Sequence, residues 1–516
     1  MIRKIVVFSS LFFSSFLYIH AQNELDIIRY SFQTIGSTAR AYGAGGAFGA
    51  IGADVSSAAI NPAGMARFRS SSFNMSTSFY NSKNTATYIN SDLQENKFNF
   101  NVPSIGFVIN NPAEDFENKN PEGFVNFVIG FNMNRLNNFH KRSIFSANNN
   151  SSISENWAER ASRTDDVPDN FSRYSLEYLA FQSWMIDADS SSLTPRYISA
   201  YGNNAINVNQ SGLIQTRGGL NDYNFSLAAN YKHLVLFGIA LGAKSVRYIE
   251  NNNFTENDLK TSNIRDVRTV TLEQYLKTSG LGLNAKLGVN ICPTEKLRLG
   301  YAYHSPTVFN LKDSYSYTIS SRFDQNAINP FGFTRQGRTV GTEATVYEYK
   351  ITTPARHLFS LGLVDKELGF LSMDIETVNY TSGSLQPKDP TEEPFLNENL
   401  NVKRILNSNV VNLRFGAEYV MEQYRFRAGY ARYPSPYKTN AVPFINDLVN
   451  NIYTLGFGIK TKNYSFDFAY VNTGYADYTV PYTLNNLKPN QQNQTMTNNV
   501  RASNVVLSMS IRLGED

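Results

Sequence analysis

A chain of 516 residues with a formal net charge of +4 and one cysteine has no disulfide framework, and it carries too little charge for its size to favour nucleic acid. Mean hydropathy is −0.33, and aromatic residues make up 13%, almost all Tyr and Phe with only 2 Trp. With Asn abundant in the connecting segments, this mix fits strands whose aromatic ends lie near a bilayer interface and whose loops are wet.

Arg3 and Lys4 precede an apolar run from Ile5 to Ile19, and Ala21 follows before Gln22. A basic start, an apolar middle and a small residue at the cut are the layout of a cleaved export signal, assigned to residues 1–21. The run is short for a membrane anchor helix of roughly 20 residues. No cysteine follows it to take a lipid, and every later apolar run is soon broken by polar residues.

Gly36 to Phe68 reads GSTARAYGAGGAFGAIGADVSSAAINPAGMARF, poor in charge and rich in Gly and Ala. Its glycines, Gly45 and Gly46 among them, let backbone turn tightly and approach other backbone. They are not a nucleotide cradle: no strand precedes them, the spacing is not G-x-G-x-x-G, and no Lys-Ser/Thr follows. Asp54 or Ser56 is placed to cap a short helical turn through Ala58 and Ala59. Pro62 ends that turn by biasing Asn61 toward extended backbone. Residues 22–68 thus read as a small plug, and residues 69–516 as the body of the fold.

From Ser70 onward the dominant period is two. Leu297, Leu299, Tyr301 and Tyr303 alternate with Arg298, Gly300 and Ala302; Tyr464, Phe466, Phe468 and Tyr470 alternate with Ser465, Asp467 and Ala469. A soluble sandwich alternates too. Against it, charged residues such as Lys286, Asp374, Glu376 and Arg414 recur on the second face, and tight connections alternate with long ones. The tight ones are His233, Pro293 to Lys296, Asp365 to Leu368, Glu422-Gln423 and Lys462-Asn463, with Asn111 to Glu122 somewhat longer. The long ones are Asn81 to Lys97, Phe139 to Gly218, Tyr248 to Gln274, Leu311 to Glu348, Thr381 to Leu406, Tyr433 to Asn450 and Thr473 to Asn499. This rhythm predicts an all-β fold, a transmembrane antiparallel β-barrel of about fourteen strands with short periplasmic turns and long outer loops. An even strand number puts both chain ends on the periplasmic side, with residues 22–68 free to fold into the lumen. The last strand ends in Gly-Glu-Asp where an aromatic residue is usual.

ARAYGAGG, then GADVSSAAINPAG, then a first strand resembles the N-terminal hatch of the FadL/TodX family of long-chain fatty-acid transporters of Gram-negative outer membranes. The family's Asn-Pro-Ala triplet matches Asn61, Pro62 and Ala63, and Val102-Pro103 in the second strand resembles its pattern. The resemblance implies a fourteen-stranded barrel in the outer membrane, plugged by its own hatch, with Asn61, Pro62, Ala63, Gly64, Gly45 and Gly46 at the gate. It further implies passive uptake of hydrophobic compounds such as long-chain fatty acids, with no energy coupling. Outer-membrane lipids would surround it.

Such a cargo needs a dry route, because each methylene gains about 0.8 kcal/mol on leaving water and a long chain resists aqueous release by roughly 10 kcal/mol or more. For an exit, Pro103 lies in a strand expected to pair on both sides, where proline cannot donate. The wall around Pro103, Gly106 and Gly130 is the expected site of a lateral opening; a bulge that only shapes the barrel is the alternative. A ladder continuous from Val102 to Phe107 would count against the opening. For capture, Phe171, Tyr174, Tyr178, Phe181 and Met185 recur at helical spacing in the longest loop, with Asp169 or Asn170 able to cap. That stripe either packs onto the rim or offers a groove. Arg40 either meets a carboxylate head group or pairs with a lumen acid such as Asp374 or Glu376.

No enzyme, cofactor or metal site is expected. His140, His233, His304 and His357 lack ligand spacing, and Cys292 has no cysteine partner. His304 and Ser305 point to opposite strand faces, with His304 assigned to the interface. Two other readings share the layout: a barrel partner in protein export of the type IX kind, which would bind protein, and a general porin with an open polar lumen.

Overall fold

The computed structural model describes residues 24–34, 36–113, 121–163, 167–189, 196–202, 206–259, 267–324, 334–439 and 449–513. The export signal assigned to residues 1–21 and the terminal Gly514-Glu515-Asp516 lie outside the described residues.

Fourteen strands build the wall. They are β1 (Ser71–Tyr88), β2 (Ser91–Pro112), β3 (Phe124–Asn138, continued by Lys141–Asn149), β4 (Val208–Tyr231), β5 (Val235–Asp258) and β6 (Val267–Ile291). Then follow β7 (Leu297–His304, continued by Val308–Phe323), β8 (Thr345–Thr352, continued by Arg356–Asp365), β9 (Gly369–Val378) and β10 (Val410–Met421). The last are β11 (Tyr424–Tyr433), β12 (Asn450–Lys460), β13 (Tyr464–Thr479) and β14 (Met496–Leu513). Each pairs antiparallel with the next, and β14 returns to β1 through a ladder from Ser71↔Leu513 to Tyr88↔Met496, so the sheet closes on itself. The expected tight turns all fall at one end, which is the end where β1 begins.

The alternation sorts outside from inside. Phe107, Phe131, Phe225 and Leu241 are successive cross-strand partners from β2 to β5, and all four are exposed. A continuous apolar face of this kind suits lipid, not water. The intervening residues, Asn132, Asn224 and Gly242, face a filled lumen.

Several segments expected to be loops are strand instead. Asn81 to Lys97 is the upper part of the β1–β2 hairpin, which turns at Ile89, a residue with φ of 56°. β4, β5 and β6 run to 24, 24 and 25 residues. A tilted crossing needs only about 9–11 residues, so roughly half of each rises above the lipid belt. The outer face is polar there, while inward Phe254, Val270 and Leu272 join a core beneath the cap, so the apolar face switches sides although the backbone ladder continues.

Above the rim, the segment after β3 folds into a cap. Helices α4 (Ile153–Arg163) and α5 (Leu176–Gln182) pack with a short strand pair, Ile186–Ala188 and Tyr197–Ser199. Fully buried Trp157 centres a core shared with Tyr88, Phe145 and Phe254 of the wall extensions.

Candidate functional site

The N-terminal segment fills the lumen. It comprises α1 (Glu24–Ser31), α2 (Ala39–Gly43), α3 (Ser57–Ile60) and a 3-10 turn over Pro62–Arg67. Thr38 caps α2 by accepting from Ala41 N at 3.1 Å, and its hydroxyl donates to Asp54 at 3.0 Å. Asp54 in turn accepts from Ser56 N at 2.9 Å, just ahead of α3, whose N-cap Ser56 makes no side-chain capping bond, so neither residue caps the helix with its side chain. Asn61 is extended, at φ −143° and ψ 103°. Its side chain accepts from Ala63 N at 3.2 Å, donates to Gly49 O at 2.8 Å and stands 2.8 Å from the Asn290 amide of β6. Asn61 therefore ties two plug segments to each other and to the wall.

The six plug residues do not form one cluster. Asn61 to Gly64 lie on the β5–β6 side, where Pro62 and Ala63 touch Gly238 and Gly288. Gly45 and Gly46 have φ of 62° and 71°, and Gly45 lies across the lumen against β10 to β12. There Gly45 N donates to Thr454 Oγ1 at 3.1 Å.

A ring of inward wall glycines receives the plug. A Cβ at Gly106 would meet Val55 at 2.8 Å, and one at Gly130 would meet Met65 at 2.5 Å. Gly416 sits against Ala44, Gly429 against Gly45, and Gly456 against Gly43. Gly106 and Gly130 thus serve plug packing. Both lie within a continuous β2–β3 ladder, so neither borders an opening. A strand glycine carries no such signal alone in the sequence; its meaning comes from register.

Charged groups fix the plug further. Arg40 pairs with neither Asp374 nor Glu376: its Nε lies 3.8 Å from Glu418, Nη1 donates to Ala53 O at 2.7 Å, and the guanidinium lies over Phe48. Asp374 and Glu376 engage Arg414, and Glu376 also holds Arg356 at 2.7 Å. Gly49 N donates to Asp374 at 3.2 Å. His304 faces inward and donates to Ile60 O at 2.9 Å, so it is a plug contact and not an interfacial residue.

Pro103 marks a break in the wall. Opposite β1, Thr77 faces both Val102 and Pro103, a bulge between Ser76↔Ser104 and Ser78↔Asn101. On the other side the β2–β3 ladder runs from Pro112 to Ser104 and stops there. Above Ser104, the described residues of β2 have no backbone pairing to β3. Side chains bridge this seam: Asn138 donates to Asn99 at 3.3 Å, Asn99 meets His140 at 3.2 Å, and Arg142 lies 3.5 Å from Glu95. Phe98 and Phe100 stand exposed beside it on the lipid side.

The aromatic stripe is not one helix. Asp169 and Asn170 belong to a 3-10 turn, and α5 starts only at its cap Ser175, which accepts from Tyr178 N at 3.1 Å. Phe171 precedes α5 and is buried, its ring 5.1 Å from Tyr197, while Tyr174 is half exposed. Tyr178 and Phe181 lean on the cap core. Under α4, Glu256 on the extension of β5 accepts from Ile153 N at 2.9 Å, Gln210 Nε2 at 2.8 Å and Ser152 Oγ at 2.5 Å. Burial outweighs these bonds and pushes its carboxyl up to about 7.

A closed fourteen-stranded transmembrane barrel with its own N-terminal segment folded into the lumen is the architectural class. Within it, the chain has the fold of two solved structures. It is similar to a Pseudomonas aeruginosa FadL homologue at 13% identity and a TM-score of 0.52, covering 93% of this chain and 98% of that one. It is also similar to the P. putida toluene transporter TodX at 10% identity and a TM-score of 0.50, covering 94% and 100%. No family model and no curated protein matches the chain.

Proposed function

We propose that this protein is an outer-membrane channel for passive uptake of hydrophobic compounds, with long-chain fatty acids the leading cargo and no chemistry performed on them. The observation that carries this reading is the pairing of a filled lumen with an unpaired seam. The plug contacts the wall on both sides, which leaves little room for a straight aqueous path, while the wall beside Pro103 lacks backbone bonds above Ser104. Cargo captured at the cap, where Tyr174 is exposed, would enter above the plug and leave sideways through the β2–β3 seam, beside Phe98 and Phe100, into lipid. Asn61 to Gly64 would act as the gate, since Asn61 links Gly49 to the wall. The likeness to a toluene transporter and a FadL homologue supports a hydrophobic cargo.

The folded cap favours a second reading, a partner in protein export, because α4 and α5 present a structured surface above the rim. Mass spectrometry of small molecules that co-purify with the folded protein separates the two. A stoichiometric apolar compound, depleted by Asn61→Ala, supports the channel. A persistent protein companion without such a ligand supports export.

A further inference from the structure

The outward face of β4 to β8 changes character on the cap side of the lipid belt. The highest exposed apolar residues on β4 to β7 are Tyr223, Leu241, Leu281 and Val308, with Leu281 62% exposed. Above them the same face carries Arg217, Arg247, Lys277, Lys312 and Lys350. These cations come from five strands, and the ladder brings them together. Ser279 on β6 pairs with Arg247 on β5 and with Lys312 on β7, so the two stand one strand either side of it, with backbones about 10 Å apart. Lys277, the next outward residue up on β6, pairs with Ile249, which pairs in turn with Arg217. Lys350 faces Asn310, the outward residue just below Lys312.

Among the described residues, none of these cations takes part in a side-chain ion pair or hydrogen bond. The acids on the same face above the belt are Glu348 and Glu273. Glu348 lies across the ladder from Lys312 but is held by Lys388, and Glu273 is the second outward position above Lys277. The opposite rim differs: exposed Lys296 and Lys366 there hold Asp365 at 2.9 Å and Glu295 at 3.5 Å. Clustered like charges repel one another, so the patch is complementary to an anion from outside the chain.

We infer that this face is a docking surface for a phosphorylated glycolipid of the lipid A class in the outer leaflet. A phosphate sits over Ser279 between Arg247, Lys277 and Lys312, and the acyl chains lie on exposed Leu281 and Leu283 directly below. Arg217 and Lys350 widen the positive field to either side. Phosphate is the anion that arginine and lysine bind by charge-assisted hydrogen bonds, and basic clusters beside a bilayer select anionic head groups. A soluble anion would use only the upper half of this surface, and a neutral lipid only the lower half. The inference goes beyond the channel reading and does not depend on what crosses the lumen.

The test is native mass spectrometry of the full-length protein in detergent with three probes: diphosphoryl lipid A, the same lipid stripped of its phosphates, and phosphatidylglycerol. The expected result is a one-to-one complex with diphosphoryl lipid A at a lipid concentration about 10-fold to 100-fold lower than either other probe needs. The triple variant Arg247→Gln, Lys277→Gln, Lys312→Gln should lose that advantage while still running as a folded barrel band. Lys83→Gln with Arg501→Gln, a basic cross-strand pair on β1 and β14, should keep it. Equal binding of lipid A with and without phosphates, or an unchanged advantage in the triple variant, overturns the inference. Phosphatidylglycerol binding as tightly as lipid A would overturn the assignment to a glycolipid.

Discussion

Gly429 and Asn61 show how single residues fit the plug to the wall. A Cβ at position 429 would run into the backbone of Ala44 and Gly45. Gly429→Val should therefore lower stability by about 1–3 kcal/mol or more, as overpacking does, read from urea unfolding of the folded barrel band. Asn61→Leu keeps the bulk but leaves Gly49 O and Ala63 N without their partner. Each such loss costs about 1–3 kcal/mol, and the plug should loosen. Single-channel recording should then show ion leak in Asn61→Leu that the wild type lacks; silent records would remove Asn61 from the gate. Asn61 was legible because Asn-Pro is a local signal. The ring containing Gly429 was not, since it exists only once strands are in register.

At the scale of elements, two parts make distinct predictions. Among the described residues, the seam between β2 and β3 is held by side chains alone above Ser104. In a Cys292→Ser background, Asn99→Cys with Asn138→Cys, bridged by oxidation, should block uptake, and reductant should restore it. Unchanged uptake in the bridged form would sink the lateral route. In the cap, the folded state holds a proton on Glu256 between pH 4.5 and about 7, where the unfolded chain has released it. The cap is thus most stable below that window and loses stability as pH rises through it, by up to roughly 3 kcal/mol. Hydrogen exchange at Ile153, corrected for intrinsic rate, should show easier opening at pH 8 than at pH 5, and Glu256→Gln should flatten the difference. Strands inside the lipid belt were legible because one face must be apolar. Their extensions were not, because their outer face is polar and their apolar residues, Phe254 and Leu272 among them, turn inward to the cap core instead. The stripe from Phe171 to Phe181 failed as one helix because Asp169 lies in a separate 3-10 turn and α5 begins only after its cap Ser175, leaving Phe171 to pack on Tyr197.

For the whole molecule, strand number and closure followed from the rhythm of tight and long connections, and the tight turns lie where the sequence put them. The wall's interruption was only half legible. Pro103 announced an irregularity, yet nothing local distinguishes a bulge from an unpaired edge. The answer depends on where Ser104 stops pairing with Asn134. The proposed function requires that hydrophobic compounds cross this barrel while polar solutes do not. The most direct measurement is uptake of labelled oleate and of a labelled disaccharide by cells whose outer membrane lacks its own channel for hydrophobic compounds, with and without this protein. The expected result is a severalfold rise for oleate and none for the disaccharide. No rise for oleate, or an equal rise for both, would contradict it.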